Sequence, residues 1–516
     1  MDPMKTNETS QPHKLTVARL LSRRLLAFFL SFAVLICCLP IGQASVFAAH
    51  LPDNKASRIS SSGPSPSSSS SSSTSEGVPH ITAAHAFAMD YATGRILLNQ
   101  YGDRPAGIAS MTKVITLYLV YKAIDQGKIS WSTKVPISSY SSRISTNWLT
   151  TTVPMKKKSY TVRDLVTAAF VKSANSAAIS LAEKIAGSEP RFVDMMRKQV
   201  RQWGITDAKL YNSSGLNNSF LDKNIYPGSS KKAENMMSAR DIALAVWHFI
   251  HDYPQVLSMT SKAHATFDGM PLTSTDHMLP GLNSAYPGLD GFKTGTTEIA
   301  GACFAATAVR HGMRVITVIQ HASHADGNEE ARFQAMKKLL DYCFTAYGLV
   351  VVVRKGKSFK GSSLPLVDGK KKSVPLVAQS DLTVCLSQKE KVLLTSATDP
   401  STSSFANTAI PVIHTLFTEV KAPVKKGKVL ATLAVTQRKD FTGVVALPST
   451  NLSAGQTVDR KPQESQDPGW KRWLDSLWKK ISSRMSSWWK SATSWLHQTW
   501  QSFLSSIQQW WDGISS

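Results

Sequence analysis

Thiols are scarce in this 516-residue chain: there are 5 cysteines, and Cys37 and Cys38 sit inside an apolar stretch near the N-terminus. The remaining Cys303, Cys343 and Cys385 do not make a disulfide framework, and none stands at metal-ligand spacing from another Cys or His. They read as buried structural thiols, with one pair able to bridge if the geometry allowed. Acid is also short, with 35 Asp and Glu against 59 Lys and Arg and a net charge of +24. That imbalance calls for an acidic partner, either a nucleic acid or an anionic membrane or wall surface. The apolar stretch at residues 25–39 is short for a bilayer span, which needs about 20 residues. No internal repeat is evident.

Arg19, Arg23 and Arg24 precede that stretch, Pro40 and Gly42 end it, and Val46-Phe47-Ala48 offers a cleavage site. Residues 1–48 are therefore expected to be a secretory signal peptide. Export separates the chain from DNA, and its basic residues are scattered, so nucleic acid is dropped as a partner. Residues 49–78 are serine-rich and read as a flexible linker. Residues 79–347 mix both element types. A hairpin turns at Ala92-Thr93-Gly94, and a helix opens at Ser110. Helix starts of the form [ST]-x-x-[DE] stand at Thr161 and Ser238, and the small-residue helix after Thr161 is expected to run on through Ser173-Ala174-Asn175. Strand-like runs cover 291–297, 302–309 and 313–320, and a helix follows over 329–347. Residues 348–447 read as a small all-β domain built from 350–353, 384–386, 392–394, Val420, 429–435 and Val444-Val445. Residues 448–469 form a polar linker. Residues 470–516 recur at helical spacing and hold 9 of the chain's 13 Trp. Their cations are Lys471, Arg472, Lys479, Lys480, Arg484 and Lys490, so this helix is expected to lie on an anionic membrane surface rather than cross it.

Three short motifs carry the chemistry: Ser110-Met111-Thr112-Lys113, Ser173-Ala174-Asn175 and Lys293-Thr294-Gly295. A serine hydroxyl needs a base within reach to act as a nucleophile. Ser110 and Lys113 share a helix face, and Lys113 can serve as that base if burial or a nearby cation lowers its pKa. Ser173 is placed to pass a proton between Lys113 and a leaving amine. Asn175 can bond a substrate amide through both its donor and its acceptor. Lys293 and the Thr294 hydroxyl suit a carboxylate, and Gly295 permits close backbone approach. The N–H groups of Ser110 and Thr296 would stabilise an oxyanion. A lone Ser/Lys tetrad is weak evidence, since Ser229…Lys232, Ser476…Lys479 and Ser487…Lys490 also occur, as do Ser145-Thr146-Asn147 and Ser449-Thr450-Asn451. Only the ordered set, with a single K-T-G, breaks the tie.

With Tyr160-Thr161-Val162-Arg163-Asp164-Leu165, Asn212-Ser213-Ser214-Gly215-Leu216 and Asp290-Gly291-Phe292 added, residues 81–445 closely resemble the D-alanyl-D-alanine carboxypeptidases of peptidase family S11, the low-molecular-weight penicillin-binding proteins. The resemblance implies an α+β fold: a serine β-lactamase/DD-peptidase-like catalytic domain with an antiparallel sheet and a helical subdomain, a β-rich domain, and an amphipathic membrane anchor. It implies that Ser110 removes the terminal D-Ala of peptidoglycan stem peptides through an acyl-enzyme, that β-lactams acylate the same serine, and that no metal or organic cofactor takes part. Arg332 resembles the family's arginine on the helix after the sheet, with a substrate-carboxylate or a purely structural role. The stretch 321–328 departs from the family pattern. Three alternatives remain. A β-lactamase would need a deacylating E-x-x-L-N, which is not found. The others are a D,D-endopeptidase or transpeptidase on the same fold, and an inactive wall- or membrane-binding protein.

Overall fold

The computed structural model describes residues 77–322, 330–396, 411–435, 440–462 and 469–514. The expected signal peptide, all but the end of the serine-rich linker, and residues 323–328 of the unusual stretch lie outside the described residues. The hairpin forms as β1 (Ala83–Asp90) and β2 (Ile96–Gln100). Helix α1 (Lys113–Asp125) follows, then α2 (Val162–Val171), α3 (Asn175–Ala186), α4 (Glu189–Gln202) and α5 (Ala239–Asp252). Thr161 and Ser238 each close a capping box, with Asp164 and Asp241 as partners. The later strands are β3 (Leu289–Thr297), β4 (Gly301–Arg310) and β5 (Met313–Ala322), and α6 (Ala331–Ala346) ends this part.

These strands form one antiparallel sheet in the order β2-β1-β5-β4-β3. Both of its faces are buried, which is why its strands read as continuous apolar runs rather than alternating ones. Phe87, Met89, Ile316 and Val318 point into a core with α1, α2 and α5. Their neighbours Ala86, Ala88, Val315 and Ile319 point the other way, onto Phe333, Met336, Leu339 and Leu340 of α6. The strand carrying Lys293 stays at the sheet edge. Cys303, Cys343 and Cys385 are buried and free, as the scarcity of thiols suggested.

The C-terminal part is sheet-rich. β6 (Tyr347–Val353), β7 (Ser363–Pro365), β8 (Ser373–Ala378) and β9 (Leu382–Ser387) precede α7 (Gln388–Ser396). Then come β10 (Pro411–Thr415), β11 (Val429–Val435) and β12 (Ser449–Ala454). β6 pairs with β9, and a five-stranded sheet runs β7-β8-β12-β11-β10.

Three expectations need correction here. Residues 392–394 lie in α7 rather than in a strand, because Glu390 turns the chain by accepting the Ser387 N–H at 2.8 Å. Val444 and Val445 join no strand and pack on the core of the first sheet. Residues 448–460 are not linker: β12 is the central strand of the second sheet, with Leu452 and Ala454 wholly buried. The alternation of Thr450, Leu452 and Ala454 with polar residues is a half-buried strand pattern that its serine and asparagine content disguised.

The tail is one helix, α8 (Gly469–Ile514), and it does contain a repeat. Trp478, Trp489, Trp500 and Trp511 are spaced by 11 residues, as are Leu474, Met485, Leu496 and Ile507. Trp470, Ile481, Ala492, Phe503 and Ile514 fall in the same register. Eleven residues make about three turns at 3.6 residues each, so this apolar stripe runs nearly straight. Its large apolar side chains are exposed, Trp478 by 71% and Trp489 by 66%. No helix among the described residues is long and apolar enough to cross a membrane.

The two sheet regions are joined at Arg95. Its guanidinium donates to Glu390 Oε2 at 2.7 Å and Oε1 at 2.9 Å and to the Cys385 carbonyl at 2.7 Å, and it lies 3.2 Å from Asp440. Burial pushes the Glu390 carboxyl up, but the Arg95 hydrogen bonds and charge outweigh it and hold the group below its ordinary value. Arg95→Met strands the Glu390 carboxylate and is expected to destabilise the fold by about 3–5 kcal/mol in urea unfolding at neutral pH. The Glu390 contribution is full above the ordinary glutamate range and fades as pH falls through the lowered value, so the wild-type and variant curves should converge in acid.

Candidate active site

The nucleophile segment enters α1 through a distorted start. Ala109–Thr112 is a 3-10 turn, and Ala109 has φ 44°. Ser110 and Lys113 then face each other across one turn. The Lys113 Nζ is 2.8 Å from Ser110 Oγ, 2.7 Å from Asn175 Oδ1 and 2.7 Å from the Ser214 carbonyl oxygen. Lys113 is wholly buried. Burial lowers its pKa far below the usual lysine value, and the Lys293 charge adds to this. Two of its three contacts are carbonyls, which can only accept. A neutral Lys113 therefore uses both N–H groups on Asn175 and Ser214, and its lone pair is left facing the Ser110 hydroxyl.

The second motif does not sit on the helix expected to carry it. α2 ends at Val171, Ser173 occupies the break with φ 60°, and Asn175 opens α3. A left-handed serine costs on the order of 1–3 kcal/mol. The break lets Ser173 line the cleft while Asn175 reaches Lys113. Asn175 Nδ2 also donates to the Thr151 carbonyl at 2.9 Å. Both ends of the amide expected to meet substrate thus hold protein groups instead, and Asn175 orients the lysine.

Lys293, Thr294, Gly295 and Thr296 run along β3. Burial pushes Lys293 down to about 7, Asp276 opposes the shift, and Arg332 adds to it. Its Nζ donates to the Thr294 carbonyl at 2.9 Å. A Cβ on Gly295 would sit 2.9 Å from the Ser110 backbone nitrogen, so the missing side chain is what brings the strand against the nucleophile. Arg332 is buried; it donates to the Gly295 carbonyl at 3.0 Å, the Cys303 carbonyl at 3.3 Å and Thr296 Oγ1 at 2.7 Å.

Ser110, Ser173, Thr294, Gly295, Thr296 and Arg332 line one cleft of about 150 Å³. Lys113 and Asn175 bond to this group from behind Ser110. Thr151, Thr275, His277, Glu330 and Phe333 complete the lining, and sequence reasoning gave them no role. Nor did it foresee the Ser214 carbonyl, although Asn212-Ser213-Ser214-Gly215 is a legible turn. Asn212 Oδ1 accepts the Gly215 N–H at 2.7 Å, and Glu189 accepts the Ser213 N–H at 2.8 Å. Gly215 has φ +85°, and a Cβ there would lie 1.9 Å from the Ala109 carbonyl oxygen. Gly215→Ala must therefore move either the nucleophile turn or the Ser214 carbonyl. It is expected to lower unfolding stability by more than about 1 kcal/mol, measured by denaturant titration.

The model of the D-alanyl-D-alanine carboxypeptidase family matches residues 72–324. The chain is 32% identical over 313 residues to the D-alanyl-D-alanine carboxypeptidase DacA of Haemophilus influenzae, covering 59% of this chain and 72% of that one. It is 25% identical over 358 residues to DacF of Bacillus subtilis, covering 68% and 81%. Among solved structures, a peptidoglycan synthesis regulatory factor (PBP3) from Streptococcus pneumoniae superposes with a TM-score of 0.62 at 41% identity, covering 74% of this chain and all of that one. Penicillin binding protein 5 of Haemophilus influenzae gives 0.54 at 27% identity, covering 74% and 99%. A buried lysine on a serine at the edge of an antiparallel sheet, in a chain with these relatives, makes this protein a member of the D-alanyl-D-alanine carboxypeptidase family.

Proposed function

We propose that the chain removes the terminal D-Ala of peptidoglycan stem peptides through an ester on Ser110. The observation that carries this reading is the Lys113 amine, 2.8 Å from Ser110 Oγ with its other two contacts on carbonyls. Ser110 Oγ attacks the carbonyl carbon between two D-Ala residues while its proton passes to Lys113. The oxyanion forms against the N–H groups of Ser110 and Thr296. The C–N bond breaks, and the proton returns through Ser173 to the leaving amine. The departing carboxylate is held by Lys293, Thr294 and Arg332. Water then hydrolyses the ester. A β-lactam acylates the same oxygen, but its amine stays tethered, so release is slow. We assign residues 79–347 to catalysis and 348–460 to the β-rich part.

The repeat in α8 supports a membrane role. Its straight apolar stripe with Trp at a fixed position suits a flat lipid surface better than a left-handed coiled-coil seam. We place the enzyme at the outer face of the cytoplasmic membrane, with Lys471, Arg472, Lys479, Lys480, Arg484 and Lys490 against anionic headgroups.

Mass spectrometry of the penicillin-treated protein should find one adduct, on Ser110, and none on Ser110→Ala; an unlabelled wild type would sink the reading. Lys293→Met removes a cation beside Lys113, so the Lys113 pKa should rise. Because the neutral amine is the base, the acid limb of penicillin acylation should move to higher pH. Truncation before Trp470 should release active enzyme from membranes, assayed by fractionation.

A further inference from the structure

The cleft has one wall that the reaction above does not use. His277 Nδ1 lies 2.7 Å from Glu330 Oε1, and Ser284 Oγ donates to Glu330 Oε2 at 3.2 Å. The His277 ring stacks on Phe333 at 5.1 Å, and Phe333 meets Phe304 of β4 edge-on at 5.6 Å. Phe333 is buried, while His277 and Glu330 keep about two-fifths of their side chains exposed. The wall is thus anchored in the core behind the sheet and presents a polar pair to the cleft.

Its place in the cleft follows from its neighbours. Thr275, two residues before His277, touches Thr294 Oγ1 at 2.7 Å. Glu330 and Phe333 flank Arg332, which is bonded to Gly295 and Thr296. The wall therefore stands beside the groups assigned to the terminal carboxylate, on the side of the departing residue. Once that carboxylate is seated, the departing residue's side chain must share a small cleft with this pair. A methyl group fits such a space. A side chain that continues into a second peptide, as in a cross-linked stem, does not. A second carboxylate there would face Glu330.

We propose that the His277–Glu330 pair, backed by Phe333, sets the leaving-residue specificity, restricting the enzyme to small, non-acidic D-residues and to uncross-linked stems. This rests on the carboxypeptidase reading and narrows it to exopeptidase action.

The test uses the purified full chain with diacyl-L-Lys-D-Ala-D-X peptides, where X is Ala, Leu, Gln or Glu, and a cross-linked muropeptide dimer. The wild type should cut X = Leu at least about tenfold less efficiently than X = Ala, with a similar penalty for Glu against Gln, and should leave the dimer intact. His277→Ala/Glu330→Ala should narrow the Ala/Leu ratio by about tenfold. Glu330→Gln keeps the wall's shape and should narrow only the Gln/Glu ratio. Ser110 labelling by penicillin reports whether each variant retains its site. The proposal is overturned if the wild type cuts X = Leu as well as X = Ala or opens the dimer. It is equally overturned if the labelled double variant keeps the wild-type Ala/Leu ratio or labelled Glu330→Gln keeps the wild-type Gln/Glu ratio. A wild type that releases no D-residue and takes no label would instead sink the carboxypeptidase reading itself.

Discussion

A lysine buried away from solvent is the constraint from which the rest of this structure follows. Removing an ammonium from water costs several kcal/mol unless it is compensated. Around Lys113 the compensation is incomplete: two carbonyl oxygens and a hydroxyl, but no carboxylate among its hydrogen-bond partners. The amine gives up its proton more readily than it would in solvent, and its two acceptors decide which way the freed lone pair points. Positioning Asn175 and the Ser214 carbonyl is therefore as much a part of the chemistry as the serine itself.

Each of those positions depends on backbone that ordinary residues avoid. Ser173 and Ala109 adopt left-handed angles, and Gly215 and Gly295 stand where a side chain would meet the nucleophile turn. The strain is held by well-packed surroundings, with α1, α2 and α5 on one face of the sheet and α6 on the other. Arg332 ties α6 to β3, so the Gly295–Thr296 side of the cleft is held by the same helix that covers the sheet.

Much of this was legible in the residue order. The hairpin, the two capping boxes, the three sheet strands and α6 all announced themselves through turn residues and periodicity. The nucleophile, its lysine and the K-T-G strand were readable because their spacing has chemical meaning. What stayed hidden depended on approach in space. The Ser214 carbonyl has no side-chain signature. His277 and Glu330, 53 residues apart, meet only after folding. The break between α2 and α3 was masked by small residues that read as one continuous helix. β12 was missed because a strand rich in Ser, Thr and Asn resembles a linker until its alternate burial is known. The 11-residue register of the tail was missed because a window tuned to 3.6 residues per turn registers any amphipathic helix alike and discards the longer period.

The way the chain crosses between its two sheets has a mechanical outcome. It leaves α6, the helix that covers the first sheet, at Tyr347, builds most of the second sheet, and comes back so that the Ile96 N–H donates to the Asp440 carbonyl and the Thr442 N–H donates to the Gly94 carbonyl, before it departs again into β12. Two sheets stitched by a single strand can swivel; two sheets stitched by three passages of chain and one buried guanidinium cannot do so without tearing a stitch. The β-rich part then moves with the catalytic sheet rather than on a leash, so the place where its last strand ends stands at a set distance from the serine.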